Sequence, residues 1–192
     1  LKEWFVKFAA AVRVKPGLQL WSDAETFDER FWTTCTLKRL IAQMQTVQPY
    51  VTNIITVAYS HDYSPLSVDS GFNKGYFYYT RTGRLPNARE PAGVKQFEYS
   101  LNKYDQPVFR WQSSGDNKNI CGYYLYRNNL LIANMQKRGS TGKLQDYFID
   151  TTLRKGGSYQ YEIESYNFNG DVSLKQSTTG AINLSKVQNH SD

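Results

Sequence analysis

Two carboxylates, Asp23 and Glu25, stand two residues apart in the stretch Gly17-Leu18-Gln19-Leu20-Trp21-Ser22-Asp23-Ala24-Glu25-Thr26-Phe27. In extended backbone, residues two apart point to the same side and lie ~7 Å apart at Cα. A pair of carboxyl groups across a scissile bond hydrolyses glycosides, with inversion at about 6.5–9.5 Å and with retention at about 5–5.5 Å. The local pair is therefore conceivable as an inverting acid and base. The plainer role of Glu25 is to cap a helix or hold a salt bridge, and that of Asp23 is to orient a loop. Trp21 offers a ring face on which a pyranose can stack, or, as is commoner for a Trp in an apolar strand, it is core. A second group follows at Tyr59, His61 and Tyr63, where His61 contacts sugar hydroxyls or tunes the glutamate, or else hydrogen-bonds a loop.

Other chemistries lack their parts. The chain has no glycine-rich phosphate loop and no Gly-x-Ser-x-Gly elbow, and only His61 and His190 could serve a serine or cysteine nucleophile as base. Two cysteines, Cys35 and Cys121, and two histidines give no metal-ligand spacing, so no metal or cofactor is expected, and both thiols read as buried rather than bridged. The net charge of +6 suggests nucleic acid, but residues 1–94 carry 11 Lys and Arg against 8 Asp and Glu, and residues 95–192 carry 12 against 9. An even excess makes no basic stripe, and no nucleic-acid partner is expected. No apolar run approaches the ~20 residues that span a bilayer. Fifteen tyrosines, with flat apolar rings and polar tips, suit a surface that meets sugars or proteins.

The carboxylates need elements to hold them. Trp4, Phe5, Phe8, Ala9 and Val12 give residues 1 to 14 a helical pattern, which Pro16-Gly17 stops. The stretch carrying Asp23 and Glu25 then reads as a buried strand, and Asp28 to Thr36 as a polar connection. Thr36 suits the N-cap of a second helix, Leu37 to Val47, with Leu37, Leu40, Ile41, Met44 and Val47 at helical spacing. Val51 to Tyr59 is β-branched and nearly continuously apolar, which predicts a strand covered on both faces. Helix, strand, helix, strand implies parallel pairing through right-handed crossovers. Two strands cannot bury their own faces, so this part reads as the end of something larger. The first residue, Leu1, already lies in a helical pattern, and the expectation is that an N-terminal portion, with any signal peptide, is missing.

From Ser67 to Ala92 glycines and prolines punctuate the chain around Tyr76-Phe77-Tyr78-Tyr79, read as a loop, a short final helix or extended segment, and a linker, with the tyrosines packing between domains. Beyond Val94 seven short β runs follow at regular spacing: Lys95–Leu101, Pro107–Gln112, Cys121–Tyr126, Leu130–Asn134, Asp146–Asp150, Ser158–Tyr166 and Val172–Gln176. Such a series predicts a β-sandwich, with Asn128-Asn129 as a two-residue hairpin turn.

Val108-Phe109-Arg110-Trp111, Gly122-Tyr123-Tyr124-Leu125-Tyr126-Arg127-Asn128, Asp150 to Tyr159, Tyr161 to Asn167 and Asn169-Gly170-Asp171 together resemble a bacterial fibronectin type III module over about residues 95–185. The resemblance implies a core role for Trp111, a Tyr159 hydroxyl reaching back to backbone near Leu153, and a module that spaces or holds a catalytic domain. Residues 1–66, through Leu20 to Phe27, Leu40-Ile41-Ala42-Gln43-Met44, Pro49-Tyr50-Val51 and Ile55 to Pro65, resemble the last strands of a glycoside-hydrolase-like TIM-barrel family, domain of unknown function 4434, found in extracytoplasmic bacterial proteins. That resemblance implies six preceding strands and, for Glu25, a nucleophile or base whose partner comes from an earlier strand.

The expected fold is α/β plus all-β: terminal βα units of a (β/α)8 barrel, incomplete in this chain, and a seven-stranded immunoglobulin-like sandwich. The expected division is 1–93 barrel portion with linker, 94–187 sandwich and 188–192 tail. The expected function is that of a fragment of a secreted carbohydrate-active protein, monomeric, with catalytic Glu25 and Asp23 and with Trp21, Tyr59, His61 and Tyr63 against a polysaccharide or oligosaccharide. The fragment alone would be inactive without the missing barrel portion. The alternative is a non-catalytic glycan-binding or adhesion protein.

Overall fold

A computed structural model describes residues 1–57, 59, 61, 64, 66–139, 141–154, 157–178 and 181–183. The chain divides into two compact units. The first comprises Leu1–Ala88 with Arg138–Gly142 and Phe168–Gly170; the second comprises Arg89–Lys137, Lys143–Asn167 and Asp171–Asp192. Tyr63 and the tail with His190 lie outside the described residues.

In the first unit, helix α1 (Lys2–Arg13) leads to strand β1 (Trp21–Glu25), and a hairpin of two short strands, β2 (Phe27–Asp28) with β3 (Thr33–Thr34), leads to helix α2 (Leu37–Val47). The Asp28 to Thr36 connection is thus partly a sheet, and its turn places the exposed Trp32 at φ 52°. Thr36 caps α2 as its residue type predicts, its hydroxyl accepting from the Arg39 N–H at 3.4 Å. The Leu37 and Lys38 N–H groups donate to the carbonyls of Phe168 (2.9 Å) and Asn169 (3.1 Å), so the first turn of α2 is satisfied by a sequence-distant segment. A 3-10 turn, Gln48–Tyr50, then gives strand β4 (Asn53–Val57), which pairs with β1 in parallel. Helix α3 (Ser70–Thr82) opens on Asp69, which accepts from the Gly71 N–H at 2.8 Å, and closes on Gly83 in the left-handed region.

The core of this unit is Ala24, Cys35, Leu37, Leu40, Ile41, Val68 and Phe72, with Met44, Ile54, Tyr76, Tyr79 and Phe168 packed against it. Leu37 and Leu40 are fully buried, each worth ~1.5–3 kcal/mol over exposure. Tyr76 belongs to this core and its hydroxyl meets that of Thr56 at 3.0 Å. A Cβ on Gly71 would sit 2.7 Å from Cε1 of Phe168, and one on Gly75 2.7 Å from Cδ2 of Leu37. Glycine is required at both for α3 to approach this closely.

Two strand expectations are corrected. β1 is not buried but alternates exposed and buried, and β4 alternates exposed and partly covered. The continuous apolar run of β4 led to the forecast of two covered faces; among the described residues helices lie against one face only, and Ile55 and Val57 are exposed on the other. The parallel sheet has two strands, and no barrel closes among the described residues.

The second unit is built of two main sheets. One orders β5 (Val94–Leu101), β6 (Pro107–Ser113) and β9 (Tyr147–Ile149); the other orders β12 (Gln176–Ser177), β11 (Tyr161–Tyr166), β7 (Gly122–Arg127) and β8 (Leu130–Gln136). Two short strands, β10 (Ser158–Tyr159) and β13 (Ile182–Asn183), pair with each other. Phe97, Phe109 and Trp111 of the first sheet share one core with Tyr123, Leu125, Met135, Tyr161 and Ile163 of the second. Phe109 and Tyr161 meet across it with ring centroids 4.3 Å apart. Asn128 and Asn129, at φ 49° and 63°, make the β7–β8 hairpin turn that Asn tolerates. The Tyr159 hydroxyl donates to the Arg154 carbonyl (3.0 Å) and accepts from the Arg154 N–H (3.1 Å), one residue beyond Leu153. The run Val172–Gln176 is not a strand throughout: Val172 makes one isolated bridge to Tyr166 and pairing resumes at Gln176. Gln160 interrupts the run Ser158–Tyr166 because its N–H donates to the Asn128 side chain (2.9 Å). Cys35 and Cys121 are both buried thiols outside any disulfide.

Candidate functional site

Parallel pairing sets Trp21 opposite Asn53, Asp23 opposite Ile55 and Glu25 opposite Val57. All six residues are exposed and lie on one face, while Ser22, Ala24, Ile54 and Thr56 face the helices. The open face thus carries three cross-strand rows. Trp21 stands at the N-terminal end of β1, ~13 Å by strand rise from Glu25 at the C-terminal end, with Asp23 midway. Tyr59 and His61, both exposed, lie two and four residues past Val57, so chain connectivity keeps them at Glu25's end.

The sheet therefore puts Glu25 at the end from which the chain leaves β4 toward Tyr59 and His61, and Trp21 at the other. The Trp21 indole is half-exposed rather than core, and its N–H donates to the Gln19 side-chain oxygen (3.1 Å). Turned so that its oxygen faces the indole, the Asn53 amide accepts from the same N–H at 3.1 Å.

The backbone of Glu25 is held tightly where its side chain is not. Its N–H donates to the Gln43 side-chain oxygen (3.3 Å) and its carbonyl accepts from the Gln43 amide nitrogen (3.1 Å). The Cys35 thiol also donates to that carbonyl at 3.5 Å. One residue on, the N–H of Thr26 donates to the Val57 carbonyl (3.3 Å), as does its hydroxyl, and the Thr26 carbonyl accepts from the Cys35 N–H (2.8 Å). The carboxylates of Asp23 and Glu25 make no hydrogen bond or ion pair among the described residues. An unengaged carboxylate on a fixed strand end is a strong hydrogen-bond acceptor for a sugar hydroxyl and a possible proton acceptor.

Gln43, Thr26 and Cys35 have no part in the sequence reading of the site. Gln43 carries a recognisable signal: it lies three residues after Leu40 and four before Val47, a polar side chain on the apolar face of α2.

The groups with altered acidity lie in the second unit. Burial acts to raise the Asp150 carboxyl, but the Thr152 hydroxyl and N–H, the Tyr161 hydroxyl and the Arg127 charge together hold it below its ordinary value. Burial, then the hydrogen bond to Asp150, pushes Tyr161 up; burial, then the hydrogen bond to Glu164, does the same to Tyr126. Asp150 is enclosed by its partners and reads as a structural network. Among the described residues no cluster of three or more His, Cys, Asp and Glu could hold a metal ion, and no helix is long and apolar enough to cross a membrane.

Comparison with known proteins adds the following. A family model described as "Domain of unknown function (DUF4434)" matches residues 1–69. No curated protein matches the chain. Among solved structures, the CBM32-1, CBM32-2 and M60 catalytic domains of Clostridium perfringens ZmpB are 18% identical with a TM-score of 0.38, covering 50% of this chain and 9% of that one. A Fn3-like protein from Clostridium thermocellum is 16% identical, TM-score 0.36, covering 51% of this chain and 97% of that one. The Clostridium perfringens spore cortex lytic enzyme SleM is 12% identical, TM-score 0.38, covering 95% of this chain and 76% of that one. The chain spans only 9% of the length of the ZmpB structure. Likenesses this distant carry no function across.

Proposed function

We propose that this chain is part of an extracytoplasmic carbohydrate-active protein in which Glu25 is the central carboxylate of a glycoside-hydrolase-like site. In this reading the first unit supplies the closing βα units of a (β/α)8 barrel, and the second is a fibronectin type III-like spacer. The observation that carries it is the position of Glu25: C-terminal end of a parallel strand, on the face away from the helices, backbone clamped and carboxylate unengaged. Catalytic groups of parallel-barrel enzymes occupy that end of their strands. The family match over residues 1–69 supports the family resemblance of the first unit, from which the barrel reading is taken.

Within this reading the second carboxylate comes from an earlier strand. Asp23 sits one layer deeper, opposite Ile55, and serves as a supporting acceptor rather than as the acid. Tyr59 and His61 face the substrate, and Trp21, at the far end of β1, fills the barrel interior instead of stacking on sugar. The test is Glu25→Gln in the full-length protein, assayed for reducing-end release from a panel of polysaccharides. Loss of turnover with retained binding is expected; unchanged turnover removes Glu25 from catalysis.

A second reading, glycan binding without hydrolysis, is favoured by the half-exposed ring of Tyr59 beside that strand end. It predicts binding that survives Glu25→Gln and weakens in Tyr59→Ala.

A further inference from the structure

The first unit contains a cleft of about 400 Å³ that no part of the carboxylate site uses. Its size falls within the range of small-molecule sites. It lies at the start of β4, the end opposite Val57 and Glu25, and its apolar lining comes from Met44, Val51, Ile54 and Tyr79. Two further lining residues fix its electrostatics. α2 runs on through its C-cap Gln48 into the 3-10 turn Gln48–Tyr50, which ends at Val51, and α3 ends at Gly83, so two helical segments end at one cleft.

The last carbonyls of a helix lack intrahelical donors, and each C-terminus carries a partial negative charge of about half an electron. Proteins usually offset this with a basic side chain. α2 has none in its last turn, nor has the 3-10 turn after it, and among the described residues lining the cleft there is no charged side chain, Arg81 of α3 included. A tyrosine ring in the wall adds a further preference for cations.

We infer that this cleft is a binding site for a small organic ammonium ion, with its apolar body against Met44, Val51 and Ile54 and its charge toward the ends of α2 and α3. The site is independent of the glycosidase reading, and its ligand is chosen by charge as well as by shape.

The experiment is an amide NMR titration of the whole chain with phenethylammonium and, separately, with 2-phenylethanol, which has the same apolar body without the charge. The cation is expected to shift the amides of Met44, Asn53, Tyr79 and Gly83 and to bind about tenfold more tightly than the alcohol. Thr80→Arg, at an exposed cleft-lining position in the last turns of α3, supplies a tethered cation and should weaken phenethylammonium by about tenfold while leaving the thermal midpoint level or higher. Equal affinity for the two probes, absence of shifts at millimolar concentrations, or shifts centred outside these residues would each overturn the assignment.

Discussion

The side-chain amide of Gln43 pairs with both the N–H and the carbonyl of Glu25, at 3.3 and 3.1 Å. The hydrogen bond from Thr26 to Val57 shows that even-numbered residues of β1 turn their backbone groups toward β4, so those of Glu25 turn to the outer edge. Gln43 thus does for this one residue what a neighbouring strand would do.

Gln43→Ala removes both bonds and leaves the strand end without that partner. The expected cost is ~1–2 kcal/mol in urea unfolding, with faster hydrogen exchange at the Glu25 amide. Unaltered exchange at that amide would show that the pairing contributes nothing in solution.

Gly170 stands at φ 93°, and a Cβ there would lie 2.8 Å from Oγ1 and 2.9 Å from Cβ of Thr36, the capping residue of α2. Gly170→Ala should therefore destabilise by ~1–3 kcal/mol through backbone strain and displacement of that cap. A urea midpoint equal to the parent's would contradict this geometry.

Asp150 gives the fold an acid limb. Its folded carboxyl titrates below its unfolded value of about 3.9, so the unfolded chain takes up the proton first as pH falls. Its contribution is complete above that value and is lost as pH drops through the lower, folded one. Asp150→Asn should cost ~3 kcal/mol at neutral pH, because Arg127 is left in a largely buried site without its counter-charge, and should flatten the decline in urea midpoint below about pH 4. An equally steep decline in the variant would assign the acid limb to other carboxylates.

The parts legible in the sequence were those with local signals. Helical spacing placed α2 at Leu37–Val47, Thr36 announced its cap, and Asn128-Asn129 announced its hairpin. Period-two placement put Asp23 and Glu25 on one face, as observed. Exposure of that face was not legible, because an apolar run such as Ile54 to Val57 looks the same whether its second face is covered by this chain or not. The bonds that fix the site escaped for a related reason: Gln43 lies 18 residues from Glu25, and Phe168 lies 131 residues from Leu37. The polar Gln43 on the apolar face of α2 marks a buried partner, but at such separation the periodicity does not say which residue that partner is.

Helix α3 carries glycine at positions 71 and 75, each costing an isolated helix ~1 kcal/mol relative to alanine. What offsets that cost is contact with Leu37 and with the ring of Phe168, and the first turn of α2 also waits for the carbonyls of residues 168 and 169. On the ribosome, therefore, the first unit cannot finish its core when residue 88 has emerged. It must wait until translation has passed Gly170, so the order in which these two segments are made is not the order in which they are consolidated.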